Sequence, residues 1–255
     1  MRVLSIGNSF STDAQRWLAQ SAASVGEYIF AANLFIGGCP LKKHWDMYLS
    51  GKPAYRYEIN GESIRWISIH EALYKQGKWD VITLQQVSGD SGRFETFEPY
   101  LSRLFKLIKD AQPQAKVYIH KTWAYETDCT LAGFTNYNNS QTEMYSALCN
   151  AYQQAFEKLG VGIIPSGDAI QYLRNNVSAF DYANGGQSLN RDGFHLSWLY
   201  GRYAVALIWV NTLTGKDVRT VNFVPEEFGV RADPELLDVI KQSIHTFLSH
   251  MGGKS

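Results

Sequence analysis

Two segments carry residues whose types and spacing suit acyl transfer. In the first, Ile6-Gly7-Asn8-Ser9-Phe10-Ser11, an apolar run ends and a glycine permits a sharp turn. A serine then stands where a helix is to begin, with Ser11, Thr12 or Asp13 as its cap. Open α/β sheets bind ligands beyond the carboxyl ends of their strands, so a hydroxyl placed there is exposed. Neighbouring amide N–H groups can hold a developing oxyanion. In the second segment, Asn190-Arg191-Asp192-Gly193-Phe194-His195-Leu196-Ser197, an aspartate precedes a histidine by three residues across a glycine turn. A serine needs a base held in one tautomer, and a carboxylate on the other ring nitrogen provides that. Gly-x-Ser alone marks a turn as readily as a nucleophile, and a lone histidine is usually structural. Together they point to Ser9 as nucleophile, His195 as base and Asp192 as the acid that orients it.

These residues need a scaffold that brings the two ends of the chain together. Short apolar runs alternate with amphipathic stretches, the pattern of repeated β-α units around a parallel sheet. Strands are expected at Val3–Ile6, Tyr28–Phe35, Val81–Leu84, Lys116–Ile119 and Val161–Ile164. Helices are expected near Asp13–Ser24, Tyr100–Ala111, Gln141–Leu159, Ala169–Leu173, Trp198–Leu213 and Pro234–His250. Residues 55–67 break the pattern: two short β-like runs flank Asn60-Gly61, a pair that takes the positive φ angles of a tight turn. They read as an inserted β-hairpin beside the site, or equally as a plain extension of the sheet edge. His120 and Lys121 end the fourth strand at the same rim as the proposed triad. Trp123 and Tyr125, just beyond, are candidates to line an acyl or sugar pocket, as are Trp45 and Tyr48 on a short helix after Gly37-Gly38. His44, His70, His245 and His250 read as surface or packing residues.

Composition narrows the class. A chain of 255 residues with 45% hydrophobic and 19% charged residues suits a single α/β domain, expected over residues 1–255. With 24 basic and 24 acidic residues the formal net charge is zero. Without a basic run, nucleic acid and acidic membrane surfaces are poor partners, and a small-molecule or glycan ester is the expected one. Seven Trp and fifteen Tyr fit a sugar-stacking surface as well as an aromatic core. Cys39, Cys129 and Cys149 imply neither a disulfide framework nor a zinc site. No metal or organic cofactor is called for. The N-terminus shows no leader, so the chain reads as cytoplasmic as it stands, or as periplasmic or secreted if a leader has been removed.

Gly7-Asn8-Ser9 resembles the first block of the SGNH/GDSL hydrolases, with Asn in place of the usual Asp, and Asp192-Gly193-Phe194-His195 resembles their last block. The likeness runs from residue 3 to about residue 213, and the last block is the more specific. It implies a three-layer flavodoxin-like fold, a parallel sheet in the order 2-1-3-4-5, and Ser9, Asp192 and His195 as a triad. It also implies a glycine amide in the oxyanion hole, for which Gly37 or Gly38 is the match. The third block departs from the family. Where Gly-x-Asn-Asp is usual, the chain has Leu84-Gln85-Gln86-Val87-Ser88-Gly89, with no Asn. Strand alternation puts Gln86 on the side of Ser88, so Gln86 is the expected donor, with Gln85 its alternative if the register shifts. A branch similar to sialate O-acetylesterases also has Gln in this block, which implies an acylated carbohydrate as substrate. The rival reading is a flavodoxin-like binding protein whose Ser9, Ser11 and Thr12 cradle a phosphate without chemistry. The Asp-x-x-His loop speaks against it, because a phosphate binder has no use for an oriented base.

Overall fold

The structure, a computed structural model, describes residues 1–252. Its centre is a seven-stranded sheet in the order β4-β3-β2-β1-β5-β6-β7. The strands are β1 (Arg2–Gly7), β2 (Phe30–Phe35), β3 (Tyr55–Ile59), β4 (Glu62–Ile67), β5 (Val81–Leu84), β6 (Lys116–His120) and β7 (Gly162–Ile164). Five of them, β2-β1-β5-β6-β7, are parallel and reproduce the expected 2-1-3-4-5 order. The Asn60-Gly61 hairpin does not stand apart from them: β3 pairs antiparallel with β2 and β4 with β3, so the sheet has seven strands rather than five. The aliphatic and β-branched runs Val3-Leu4 and Val81-Ile82 are buried on both faces, as central parallel strands must be.

The chain leaves β1 through α1 (Ser9–Gln15) and α2 (Leu18–Ala23) to β2, then crosses back over β1 to β5. Right-handed crossovers in opposite directions put the connecting helices on opposite faces. On one side α1 and α2 pack with α7 (Ser166–Asn176), α8 (Tyr200–Thr214) and α9 (Pro234–Gly252). On the other, α3 (Leu41–Ser50), α4 (Ile69–Tyr74) and α5 (Tyr100–Ala111) pack together, and α6 (Gln141–Leu159) lies against β6 and β7. The reversal at β1 and β5 opens a crevice at their carboxyl ends. Helix α8 is apolar on nearly all sides, the paired Arg202 excepted, and buried throughout Gly201–Val210, so it is the core element of its layer. No helix among the described residues is long and apolar enough to cross a membrane.

Candidate active site

Ser9 stands where β1 gives way to α1. Gly7 is required there by crowding: a Cβ on it would lie 2.0 Å from the Ser11 hydroxyl oxygen. The helix cap is Asn8, not Ser11, Thr12 or Asp13, and α1 begins earlier than its apolar pattern indicates. Asn8 Oδ1 accepts from Phe10 N–H at 3.0 Å and from Gln85 Nε2 at 2.8 Å, while its Nδ2 donates to the Cys39 carbonyl at 3.3 Å. The asparagine therefore ties the turn that carries Ser9 to the turn after β2.

From that turn Ser9 reaches the loop before α8. Ser9 Oγ is 2.8 Å from His195 Nε2, and His195 Nδ1 is 2.7 Å from Asp192 Oδ2. Because the carboxylate can only accept, Nδ1 carries the proton and Nε2 presents its lone pair to the serine hydroxyl. Asp192 Oδ1 meanwhile accepts from the N–H groups of Phe194 at 3.2 Å and His195 at 2.7 Å. Partial burial pushes the Asp192 carboxyl up, but the hydrogen bonds from the His195 ring and from the His195 and Phe194 amides outweigh it and hold the group below its ordinary value.

The loop 190–196 is held from several directions. Asp13, fully buried on α1, accepts from Leu196 N–H at 2.9 Å, Arg191 at 3.0 Å and Arg202 Nε at 2.8 Å. Trp123 Nε1 donates to the Phe194 carbonyl at 2.8 Å, and Glu126 N–H to the Gly193 carbonyl at 2.7 Å. Arg174 reaches Asn190 Oδ1 at 2.5 Å. Thr12 fastens the far side of α1 to the hairpin by donating to the buried Glu58 at 2.6 Å, where Asn33 also donates at 3.0 Å. Burial raises the Glu58 carboxyl, with those two hydrogen bonds opposing.

Several expectations are corrected. Gln86 does not face the site: its Oε1 accepts from Leu41 and Val87 N–H, and its Nε2 donates to Thr96. Gln85 is equally committed, donating to Asn8 and accepting from Ser11 Oγ at 2.7 Å and His120 Nδ1 at 2.9 Å. Strand parity fails because β5 ends at Leu84, one residue before the pair, so alternation no longer applies. Trp123 is wholly buried, stacked on Phe10 at 4.3 Å, and supports the histidine loop instead of lining a pocket. Trp45 lies on α3 against Tyr48 and Arg103, away from the cavity. Among the other histidines, His44 is fully buried, and burial lowers it to about 3; the same holds for His120.

The remaining candidates do meet. Ser9, Gly37, Gly38, Tyr125 and His195 line one cavity of about 530 Å³. Gly38 has φ +57°, and the turn's own hydrogen bond comes from Cys39 N–H, which leaves the Gly37 and Gly38 amides free of it. Ser88, named in the sequence reading only for its parity with Gln86, does line the cavity, its hydroxyl meeting the Tyr125 hydroxyl at 2.8 Å; the apolar wall of Phe35, Val87, Leu131 and Phe194 was missing from that reading. Asp13 was also missed as the hub of the loop. A buried acid on the first helix and two arginines near the last block were its available signal.

The fold is that of SGNH hydrolases. A putative SGNH hydrolase from Slackia heliotrinireducens aligns over 84% of this chain and 98% of its own at 22% identity and TM-score 0.55. A putative GDSL-like lipase from Parabacteroides merdae does so over 84% and 95% at 15% identity and TM-score 0.51. No curated protein matches the chain. Much nearer is a DUF4886 family protein from Bacteroides uniformis, 34% identical over 97% of this chain and 94% of that one, with TM-score 0.86. The family model described as a domain of unknown function, DUF4886, matches residues 2–245, and the chain belongs to that family.

Proposed function

We propose that the protein is a serine esterase that transfers the acyl group of an ester to water. The observation that carries this is the hydrogen-bonded line Asp192–His195–Ser9 opening on the cavity. Ser9 Oγ attacks the ester carbonyl as its proton passes to His195 Nε2, and Asp192 stabilises the imidazolium formed. The carbonyl oxygen becomes an oxyanion, held by the N–H of Ser9 and of Gly38 or Gly37. As the tetrahedral intermediate collapses, the C–O bond to the alcohol breaks and His195 returns the proton to the departing oxygen. Water then repeats the sequence on the acyl-serine, releasing a carboxylic acid and free Ser9.

The alcohol we assign is a carbohydrate. Beside Asp192 lies a polar cleft of about 210 Å³ lined by Asp128, Thr130, Tyr182 and Ser188. Its carboxylates, the Thr130 hydroxyl and the part-exposed Tyr182 ring suit a polyhydroxylated group better than a second apolar one. A fluorophosphonate probe tests the chemistry, because only an activated serine reacts rapidly. Wild type is expected to label at Ser9, and Ser9→Ala and His195→Ala to lose about 10⁶ in kcat. Ester turnover by Ser9→Ala near the wild-type rate ends the proposal. Faster turnover of acylated sugars than of simple alkyl esters with the same acyl group is the expected mark of the carbohydrate.

A further inference from the structure

The cavity also constrains the acyl half of the ester, a constraint that rests on the esterase reading. The carbon attacked by Ser9 holds three further groups in the tetrahedral intermediate, and each has a separate direction. The leaving oxygen must lie toward His195, which protonates it. The oxyanion must lie toward the amides of Ser9 and the Gly37-Gly38 turn. The acyl chain takes the direction that remains, past Ser88 and Gly89 toward Tyr125, Leu131 and Gly133, all of which line the cavity.

That side is apolar in a particular way: most of its polar groups are already engaged in hydrogen bonds. Ser88 Oγ and Tyr125 OH share a hydrogen bond of 2.8 Å, and burial pushes the Tyr125 hydroxyl well above its ordinary value. The Gly89 carbonyl accepts from Asn136 Nδ2 at 2.9 Å and Tyr137 OH at 3.1 Å. The Asp90 carboxylate is held by Arg93 at 3.2 Å. Among the described residues, no lysine or arginine lines the cavity to receive an anionic chain. What remains to meet the chain is Phe35, Val87, Leu131 and Phe194. The space is also far larger than an acetyl group needs. A cavity of about 530 Å³, shared with the oxyanion and the leaving oxygen, has room for on the order of eighteen waters at about 30 Å³ each, whereas acetyl puts one methyl beyond the carbonyl.

We infer that the enzyme's preferred acyl group is an apolar chain of several carbons, seated between Phe35, Val87 and Leu131 in front of the buried Tyr125, and that acetyl esters are poor substrates. Leu131, part-exposed at the mouth, is the residue that sets this preference.

The test is a series of 4-nitrophenyl esters from acetate through butanoate and hexanoate to octanoate, in which the alcohol is constant and only the chain grows. Burying each methylene is expected to raise kcat/KM about fourfold until the cavity is filled. In Leu131→Asp the octanoate-to-acetate ratio of kcat/KM is expected to fall by about tenfold or more. Labelling by the fluorophosphonate should persist, which shows that the fold and Ser9 survive the change. A profile that is flat or falls with length overturns the inference and leaves the esterase reading standing. A rising profile that Leu131→Asp does not alter overturns the seat assigned here. No turnover of any ester together with no labelling removes the esterase reading itself.

Discussion

Replacing Asp13 by alanine gives a severe test of how the site is assembled, because Asp13 touches no substrate. Its carboxylate accepts from Arg202 at 2.7 and 2.8 Å, from Arg191 at 3.0 and 3.1 Å, and from the Leu196 amide at 2.9 Å. Removing one partner of a buried ion pair typically costs about 3–5 kcal/mol, since the other charge stays buried without compensation. Arg202 is only 6% exposed in its side chain, so it bears most of that cost. Arg191 at 18% can partly rehydrate, and Glu227 stands 3.7 Å from Arg202, so the lower end of the range applies. About 3 kcal/mol is a large part of a stability of about 5–15 kcal/mol, and in a chain of this length it lowers Tm by about 10 °C. Activity should fall as well. Leu196 follows His195 directly, and a displacement of about 1 Å in a catalytic group costs on the order of 10² in rate. The assays are thermal unfolding and steady-state kinetics below the lowered Tm, where kcat is expected to drop with KM little changed. A variant with wild-type Tm and wild-type kcat would refute the claim that this contact sets the distance between Ser9 and His195.

Asp192→Asn keeps both backbone hydrogen bonds to Oδ1 but loses the charge and the acceptor on His195 Nδ1, so kcat is expected to fall by up to about 10⁴. A rate at or above wild type would remove Asp192 from the triad. Gln86→Ala and Gln85→Ala should separate cleanly. Gln86 anchors Leu41, Val87 and Thr96, and its loss is expected to cost about 1–3 kcal/mol in urea unfolding with kcat near normal. Gln85 holds Asn8, and its loss should lower kcat; a large kcat loss in Gln86→Ala alone would contradict the assignment. His44 and His120, lowered to about 3 by burial, stay neutral in the folded state while the unfolded chain takes up protons below about pH 6.5. Stability is therefore lost as pH falls from about 6.5 toward about 3. The loss reaches about 2 kcal/mol per histidine at pH 5, and equal urea midpoints at pH 7 and pH 5 would disprove it.

The parts of the fold that could be read in the sequence are those whose signals are local. Val81–Leu84, Tyr100–Ala111 and Gln141–Leu159 match their expected bounds, because apolar periodicity and clear ends specify them without help. Ser9 and His195 were legible because a strand-turn-helix and a short Asp-x-x-His loop are each self-contained. The start of α1 was not, since Asn8 caps it through a side chain also gripped by Gln85, which lies 77 residues away. The roles of Gln85 and Gln86 turned on where β5 stops, and no pattern in the run Leu84-Gln85-Gln86 marks that point. Trp123 and Trp45 show the same limit. An aromatic at a sheet rim lines a pocket or braces a loop according to what crosses above it, and for Trp123 that is Phe194, 71 residues later.

The fastening of residues 190–196 has a consequence for how this protein moves. Within that loop the Leu196 amide ends on Asp13 of the first helix and the Phe194 and His195 amides on Asp192, while the Gly193 and Phe194 carbonyls accept from Glu126 and Trp123 beyond β6. The loop cannot open without also releasing α1 and the segment after β6, so its amide protons should exchange with solvent at rates near those of global unfolding. Catalytic loops usually exchange early, and here the early exchange should fall instead within 127–140, the stretch that supplies Leu131. Substrate entry would then belong to one side of the cavity and the proton relay to the other, which leaves the entry side free to diverge in sequence while the relay keeps its shape.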